Sequence, residues 1–432
     1  MAIADKLLYL DQTKSLLRDA INGIGGGLSA DDPFRQYAGE LLKDQATLRL
    51  DFDQNVYGVG SHPYVRDDTK TFSDLITFTR STGGGVFNQF GLYEWLAADV
   101  PRIDHEPATL GSSTDSITMG YGIMTINTDY EYPVGGSVVV SYDANNYMVG
   151  KVLSSSSAAV TLNVVTVVGS GTYSAWTLIV RLGLLVEESR TNLLLNSAVL
   201  ATQTRTVTAV SHTLSFYGTG SVTLSGAATG TILGTSDVER VSLTFTPSAG
   251  SLTLTVAGDV LLADLQAGTF PTSHIPTAGA AVTRAVDAAN VLSAPWFNPV
   301  AGTAYVEFNS NSPSGYAFDF YSTTNTDRLI IRNNAASVSA ITSVGGAVVS
   351  VSNGTGAQTT RAAAVVYGGG DLSLSVYGGL SSSSSGTPSD IDALSIGNTK
   401  TAAAGFVVNG HIKSISYIPR RLTNDELQAI TQ

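Results

Sequence analysis

The chain contains no cysteine. That single absence excludes disulfides, thiolate metal sites and cysteine nucleophiles together. Charge is also scarce: Asp, Glu, Lys and Arg make up 13% of the 432 residues, with a net charge of −12. Phosphate recognition needs clustered Lys and Arg, so no nucleic-acid partner is expected. No run approaches the about 18 apolar residues of a membrane helix, so no membrane insertion is expected. The opening "MAIADKLLYLDQ" carries acids early and lacks both a basic stretch and a small-residue cleavage site, so no secretory signal is expected. Histidine is limited to His62, His105, His212, His274 and His411, none of them paired at i, i+3 or i+4, so neither a metal nor a cofactor is expected. No fixed-period repeat of a solenoid is visible.

What remains is rich in Gly, Ser, Thr, Val and Ala, with 43% apolar residues spread along the chain. Such a chain folds, and folds mostly as short β-strands with tight turns. Its length suits roughly three domains. Without disulfides, a protein that works outside a cell needs another staple, and oligomerisation is the usual one.

The first 47 residues read as helical. Ile3, Leu7, Leu10, Lys14, Leu17, Ile21 and Ile24 follow a 4-3-4-3-4-3 spacing, the seam of a short coiled coil with Lys14 as a polar interruption. Gly23 and Gly25–Gly27 end it. Asp32-Pro33 then opens a second helix whose apolar face is Phe34, Tyr37, Ala38, Leu41 and Leu42. A monomeric hairpin of the two stripes is the other reading; self-association is favoured. Residues 48–110 read as a β-rich neck, continued by 182–198. Between them, 111–181 loses nearly all charge and becomes Val/Thr-rich strands separated by Gly-Gly, Asn-Asn and Gly-Ser-Gly turns, an inserted all-β module. Residues 199–292 alternate cleanly: Val241, Leu243 and Phe245 run out, "PSAG" turns, and Leu252, Leu254 and Val256 run back, the texture of a sandwich or jelly roll. Residues 293–432 hold at least seven more short strands, a surface loop at the serine run 381–385 and a closing helix. Thr423 and Glu426 form its capping box, and Leu422 with Leu427 a hydrophobic staple.

The chemistry-bearing candidates are few. Asp104, His105 and Glu106 are adjacent, but neighbours in an extended chain face opposite sides, which disfavours a shared metal. Glu187 and Glu188 are an obvious carboxylate pair for glycoside cleavage. The same alternation separates them, and Glu188 shares a face with Arg190, which reads as a junction ion pair setting register. Leu184, Leu185, Leu193, Leu194 and Leu195 around them are expected to bury in a shared core. "GIGGGLSADD" has glycines before a helix start but no Lys-Ser/Thr pair, and its acids repel phosphate. No G-x-S-x-G stands between a strand and a helix, so a serine hydrolase is not supported. Tyr316, Phe318, Phe320, Tyr321, Tyr367 and Tyr377 are either sandwich core or platforms for sugar rings, with Tyr316, Tyr321, Tyr367 and Tyr377 carried as candidate glycan contacts.

Several phrases carry a resemblance. "LITFTRSTGG", "ADVPRIDHEP", "GLLVEESRTNLLLNS" and "LQAGTFPTSHIPTAGAAVTRA" resemble stretches of tailed-bacteriophage fibre and appendage proteins. The closing "GHIKSISYIPRRLTNDELQAI" is similar to the end of their laminin-G/concanavalin-A-like domain. "ADKLLYLDQTKSLLRDAINGIGG…DPFRQYAGEL" resembles their N-terminal attachment segment, and "GGSVVVSYDANNYMVGKV…GSGTYSAWTLIV" a module inserted in several of them. The resemblance implies a non-enzymatic homotrimer made in the host cytoplasm and carried on the virion. Its N-terminal segment would anchor it to other virion proteins, and its distal sandwiches, the last of them concanavalin-A-like, would bind host-surface glycan. A head-decoration or collar fibre without a receptor role, and a polysaccharide-cleaving fibre, are the alternatives. No acidic loop offers calcium its six to eight oxygens.

Overall fold

A computed structural model describes residues 14, 17–18, 42–43, 45–60, 66–107, 111–334, 336–354, 360–384, 386–388, 390–400 and 406–432. Of the proposed seam, Lys14 and Leu17 lie in helical, half-buried positions. Ile3, Leu7, Leu10, Ile21 and Ile24 lie outside the described residues, as do His62 and Ser385.

The rest is antiparallel β, as the alternation predicts. The terminal sandwich packs two sheets face to face. One runs, in spatial order, Ala347–Gly354, Ser337–Val344, Arg328–Asn334, Tyr316–Tyr321, Ala393–Ile396, Ala288–Val291 and Thr77–Thr79. The other centres on Gly302–Asn309, Thr360–Gly368, Asp371–Val376 and Gly410–Ile418. Strand alternation divides the second sheet's side chains between two cores. Ala304, Val306 and Phe308, with Ala363, Val365 and Tyr367, enter the main core against Phe318, Phe320 and Leu329. Tyr305, Ala364 and Val366 point the other way, under the closing helix Asn424–Ala429. That helix has the expected box: Glu426 N donates to Thr423 Oγ1 at 3.3 Å and Thr423 N to Glu426 Oε2 at 2.8 Å. Leu422 and Leu427 are both fully buried beside it.

Early segments feed the same sheets. Leu48–Asp51 pairs with Tyr417–Ser414 of the last strand, and Thr77–Thr79 pairs with Ala288–Asn290. The serine run is a strand rather than a loop: Gly379–Ser384 pairs along Asp371–Val376, and Ser373 and Ser382 share a hydroxyl hydrogen bond of 2.8 Å across the ladder. Serine is tolerated there where a hydroxyl meets a partner on the facing strand, as Ser382 meets Ser373.

Residues 122–186 form an antiparallel sheet, a three-stranded meander over 137–168 flanked by two further strands, in the order 122–127, 159–168, 146–155, 137–143 and 176–186. Its core cluster is apolar apart from the Tyr132 hydroxyl and the Trp176 indole N–H, with Ile126, Val138, Leu162, Trp176 and Leu178 at its centre. The strand Trp176–Val186 belongs to two bodies. Its first half pairs with the meander strand Ser137–Asp143, and Leu184–Val186 pairs with Ile412–Gly410. At the change-over sits Gly183, with φ of +103°, where a Cβ would lie 2.5 Å from the Ile412 carbonyl oxygen. Residues 203–267 form a third body, a four-stranded and a three-stranded sheet around Leu214, Phe216, Leu252, Leu254 and Leu265. Val241, Leu243, Phe245 and Val256 pack on this core as their alternation predicts.

The leucines of 184–195 do not share one core. Leu184 enters the terminal sandwich, whereas Leu194 enters the 203–267 body with Leu193 packed against it. The charged stretch between them spans the gap from one core to the other.

Candidate functional site

That gap is filled by charge. Glu187 is buried, and its carboxylate pairs with Arg102 at 2.6 Å and with Arg284. Asp287 pairs with Arg80 at 3.0 Å and with Arg102. Ser273 completes the shell, its N and Oγ each donating to Glu187 at 2.6 Å. Arg80 also donates to the Ala97 and Thr82 carbonyls, both at 2.9 Å. All three guanidiniums and both carboxylates are within a few per cent of full burial. Burial alone would raise the Glu187 pKa, but the Arg284 and Arg102 guanidiniums override it and hold the carboxyl well below its ordinary value. A fork of donors matched to each carboxylate is the condition under which such a cluster is tolerated without water. Gly84 makes the close approach feasible: a Cβ there would lie 2.6 Å from Arg80 Cζ and 2.9 Å from Arg102 Cδ.

Sequence reading did not assemble this hub. Arg80, Arg102, Glu187 and Arg284 come one each from "LITFTRSTGG", "ADVPRIDHEP", "GLLVEESRTNLLLNS" and "LQAGTFPTSHIPTAGAAVTRA". Four separate stretches thus converge on one set of ion pairs. The signal was present as at least one charge in each of four phrases of a chain that is short of charge.

Glu187 and Glu188 diverge as alternation requires. Glu188 pairs with Arg190 at 2.5 Å, and exchanges hydrogen bonds with the Asn409 amide at 2.8 and 3.2 Å. Arg190 also lies over the Phe270 ring, 5.0 Å from its centroid. The pair therefore ties 188–190 to the segment around 270 and to the last strand's entry.

Beside the hub opens a cleft of about 260 Å³, with Glu187 and Ser273 at one end. One wall is aromatic: Phe87 meets Tyr93 edge-on at 6.0 Å and Tyr217 at 5.8 Å. Paired polar groups are set among these rings, Tyr93 meeting the His274 ring edge-on at 5.0 Å. Asp104 accepts from the Phe87 and His105 amides at 2.8 and 3.0 Å, and contacts His411 Nε2 at 2.9 Å. Asp264 contacts His274 Nδ1 at 3.0 Å and accepts from Arg240 Nη2 at 2.8 Å and from Ile275 N at 3.0 Å. His274 Nε2 is buried and has no hydrogen-bond partner. His105 reaches the same residue as Asp104, its Nδ1 on the Phe87 carbonyl at 3.0 Å, and burial pushes its pKa down to about 4. Asp104 and His105 thus converge on the Phe87 backbone instead of facing apart, and among the described residues no group of three or more His, Asp or Glu is arranged to hold a metal.

The aromatic candidates divide differently. Phe318, Phe320 and Tyr367 are fully buried, and Tyr316 and Tyr321 are nearly so. Tyr367 spends its hydroxyl on Asn298 O and on the Tyr417 hydroxyl, both at 2.6 Å. As sugar platforms Tyr316, Tyr321 and Tyr367 are corrected to core, because all three lie on strands with both faces covered. Tyr377 alone is exposed, at 37%, at a turn with φ of +48°. The aromatic wall that does face a cleft, Phe87, Tyr93 and Tyr217, lies in the two other segments.

No protein-family model matches the chain, and no curated protein matches it. Among solved structures, the CBM40 of the Ruminococcus gnavus IT-sialidase is 15% identical, over 31% of this chain and 84% of its own, with a TM-score of 0.28. The NanB sialidase of Streptococcus pneumoniae is 13% identical, over 31% of this chain and 24% of its own, with a TM-score of 0.28. A botulinum neurotoxin type C structure, described by its interaction with two ganglioside molecules, is 10% identical over 34% and 40%, with a TM-score of 0.28.

Proposed function

We propose that the chain is a non-enzymatic structural protein of a tailed-phage particle that presents its sandwiches to host-surface glycan. Residues 3–24 trimerise it, and the N-terminal segment anchors it to other virion proteins. The observation that carries this reading is the hub. The four phrases that resemble phage appendage proteins are the four that supply Arg80, Arg102, Glu187 and Arg284 to one set of buried ion pairs. What the phrases have in common is the clamp between bodies, which is an architectural role. The carboxylate pair argues the same way. Glycoside cleavage needs one carboxyl to carry a proton to the leaving oxygen. Glu187 is held ionised by two guanidiniums, and Glu188 is bound to Arg190 and Asn409. Three copies would raise weak glycan affinity through effective concentration.

The test has three parts: a density map of the intact virion, a glycan array, and reducing-sugar release from host polysaccharide. Virion density with binding and no release is the expected result. Virion density without binding marks a decoration or collar fibre. Release of sugar marks a depolymerase and overturns the reading.

A further inference from the structure

The cleft beside the hub has the chemistry of a sugar subsite, and its charges choose among sugars. We infer that it holds one neutral, hydroxyl-rich sugar ring, an inference that rests on the glycan-attachment reading above. A pyranose presents an apolar C–H face and a rim of hydroxyls that each donate and accept. The cleft presents Phe87, Tyr93 and Tyr217 interleaved with fixed polar groups: Tyr93 meets the His274 ring edge-on at 5.0 Å, and Arg240 lies over the Tyr217 ring. Those polar groups are pre-positioned, since Asp104 and Asp264 each accept from backbone N–H groups while holding His411 and His274. Pre-positioning removes the ordering cost that weakens binding to mobile side chains.

His274 supplies the unfilled valence. Asp264 accepts a hydrogen bond from His274 Nδ1–H; in that tautomer Nε2 is a lone-pair acceptor, and it is buried without a partner. A buried polar atom without a partner is costly, and a hydroxyl proton from the ligand would relieve it. An acidic sugar is disfavoured by the same inventory. Arg240 is the guanidinium of the lining, and Asp264 has already claimed it at 2.8 Å. Of the remaining formal charges there, Glu187 is neutralised by Arg102 and Arg284, which leaves Asp104 to repel a carboxylate or sulfate.

The full-length protein is titrated on an array of neutral and of carboxylated or sulfated glycans, as wild type, His274→Asn and Phe87→Leu. Asparagine can still donate to Asp264 but lacks the second ring nitrogen. Phe87→Leu keeps the wall apolar without its ring and serves if His274→Asn is unstable. The expected result is binding confined to neutral glycans, weakened at least tenfold by either variant at an unchanged melting temperature. Neutral-glycan binding that both variants retain would overturn the cleft assignment while leaving glycan attachment standing. Preference for acidic glycans would overturn the ligand class. Silence of the wild type across the array would overturn attachment itself, and the subsite with it.

Discussion

The inserted meander and the hub solve the same problem in opposite ways. The meander holds itself together with Val, Leu, Ile, Met and aromatic side chains and buries no ion pair in its core cluster. The hub joins four separate segments with three arginines and two acids. An apolar core accepts any neighbour of the right volume. A charge cluster accepts only the geometry in which each carboxylate meets its donors, so it fixes how bodies sit against each other and adds little net stability. The difference teaches that in this chain cohesion is apolar and registration is ionic.

Breaking the hub should have the largest effect. Arg102→Leu removes the guanidinium that Glu187 and Asp287 share, leaving each a single arginine in a dry site, and should cost about 3 to 5 kcal/mol, read as a lowered denaturant midpoint. Cutting the meander core should cost less and be repairable. Leu162 is fully buried there, so Leu162→Ala should lose about 2 to 4 kcal/mol, whereas Leu162→Met should lose under about 1.5. No conservative exchange should rescue Arg102 in that way; if Arg102→Lys restores full stability, the contrast between the two regions fails.

The pH response sharpens the comparison, because two buried groups away from the hub shift in opposite senses. Burial raises the Asp53 pKa to about 7 and lowers that of His105 to about 4. Folded His105 stays neutral, so its contribution is present above the unfolded value of about 6.5 and is lost as pH falls toward about 4. Folded Asp53 keeps its proton, so its contribution is present below the unfolded value of about 3.9 and is lost as pH rises through about 7. Between about pH 4 and 6.5 the two proton balances cancel. Asp53→Asn should therefore expose the His105 slope, about 1.4 kcal/mol of stability lost per unit of acidification, in chemical melts at stepped pH. The Glu187 contribution, from a depressed pKa, is present above its unfolded value of about 4.3 and fails only at lower pH.

The smallest expected effect is at the periphery. Glu188 and Arg190 are partly solvated, with side chains 19% and 9% exposed. Arg190→Ala should cost about 1 kcal/mol or less in the single chain. Its larger consequence should be a lowered melting temperature of the proposed trimer; an unchanged trimer melt would remove any role in assembly.

Much of the fold was legible because period-2 alternation is local. Val241, Leu243 and Phe245, or Leu252 and Leu254, announce their inward face within five residues. Thr423 and Glu426 announce a helix start within four. The serine strand at 379–384 was illegible because its support is a hydroxyl on a neighbouring strand, not its own composition. The hub and cleft were illegible for a deeper reason. Arg80 and Asp287 are 207 positions apart, and nothing in either neighbourhood names the other. The Glu188–Arg190 pair, two residues apart on one face, was readable because its geometry is that of a single strand.

The paired entry and exit of the meander have one more consequence. His105 and Arg181 sit opposite each other on adjoining strands, as do Ile103 and Leu184. The excursion between them leaves and returns at a single rung of one ladder. A substitute insert of any size, or a bare tight turn, could close that rung without displacing either rail. The position is a ready-made socket, where one cassette can be exchanged for another while the frame that carries it keeps its shape.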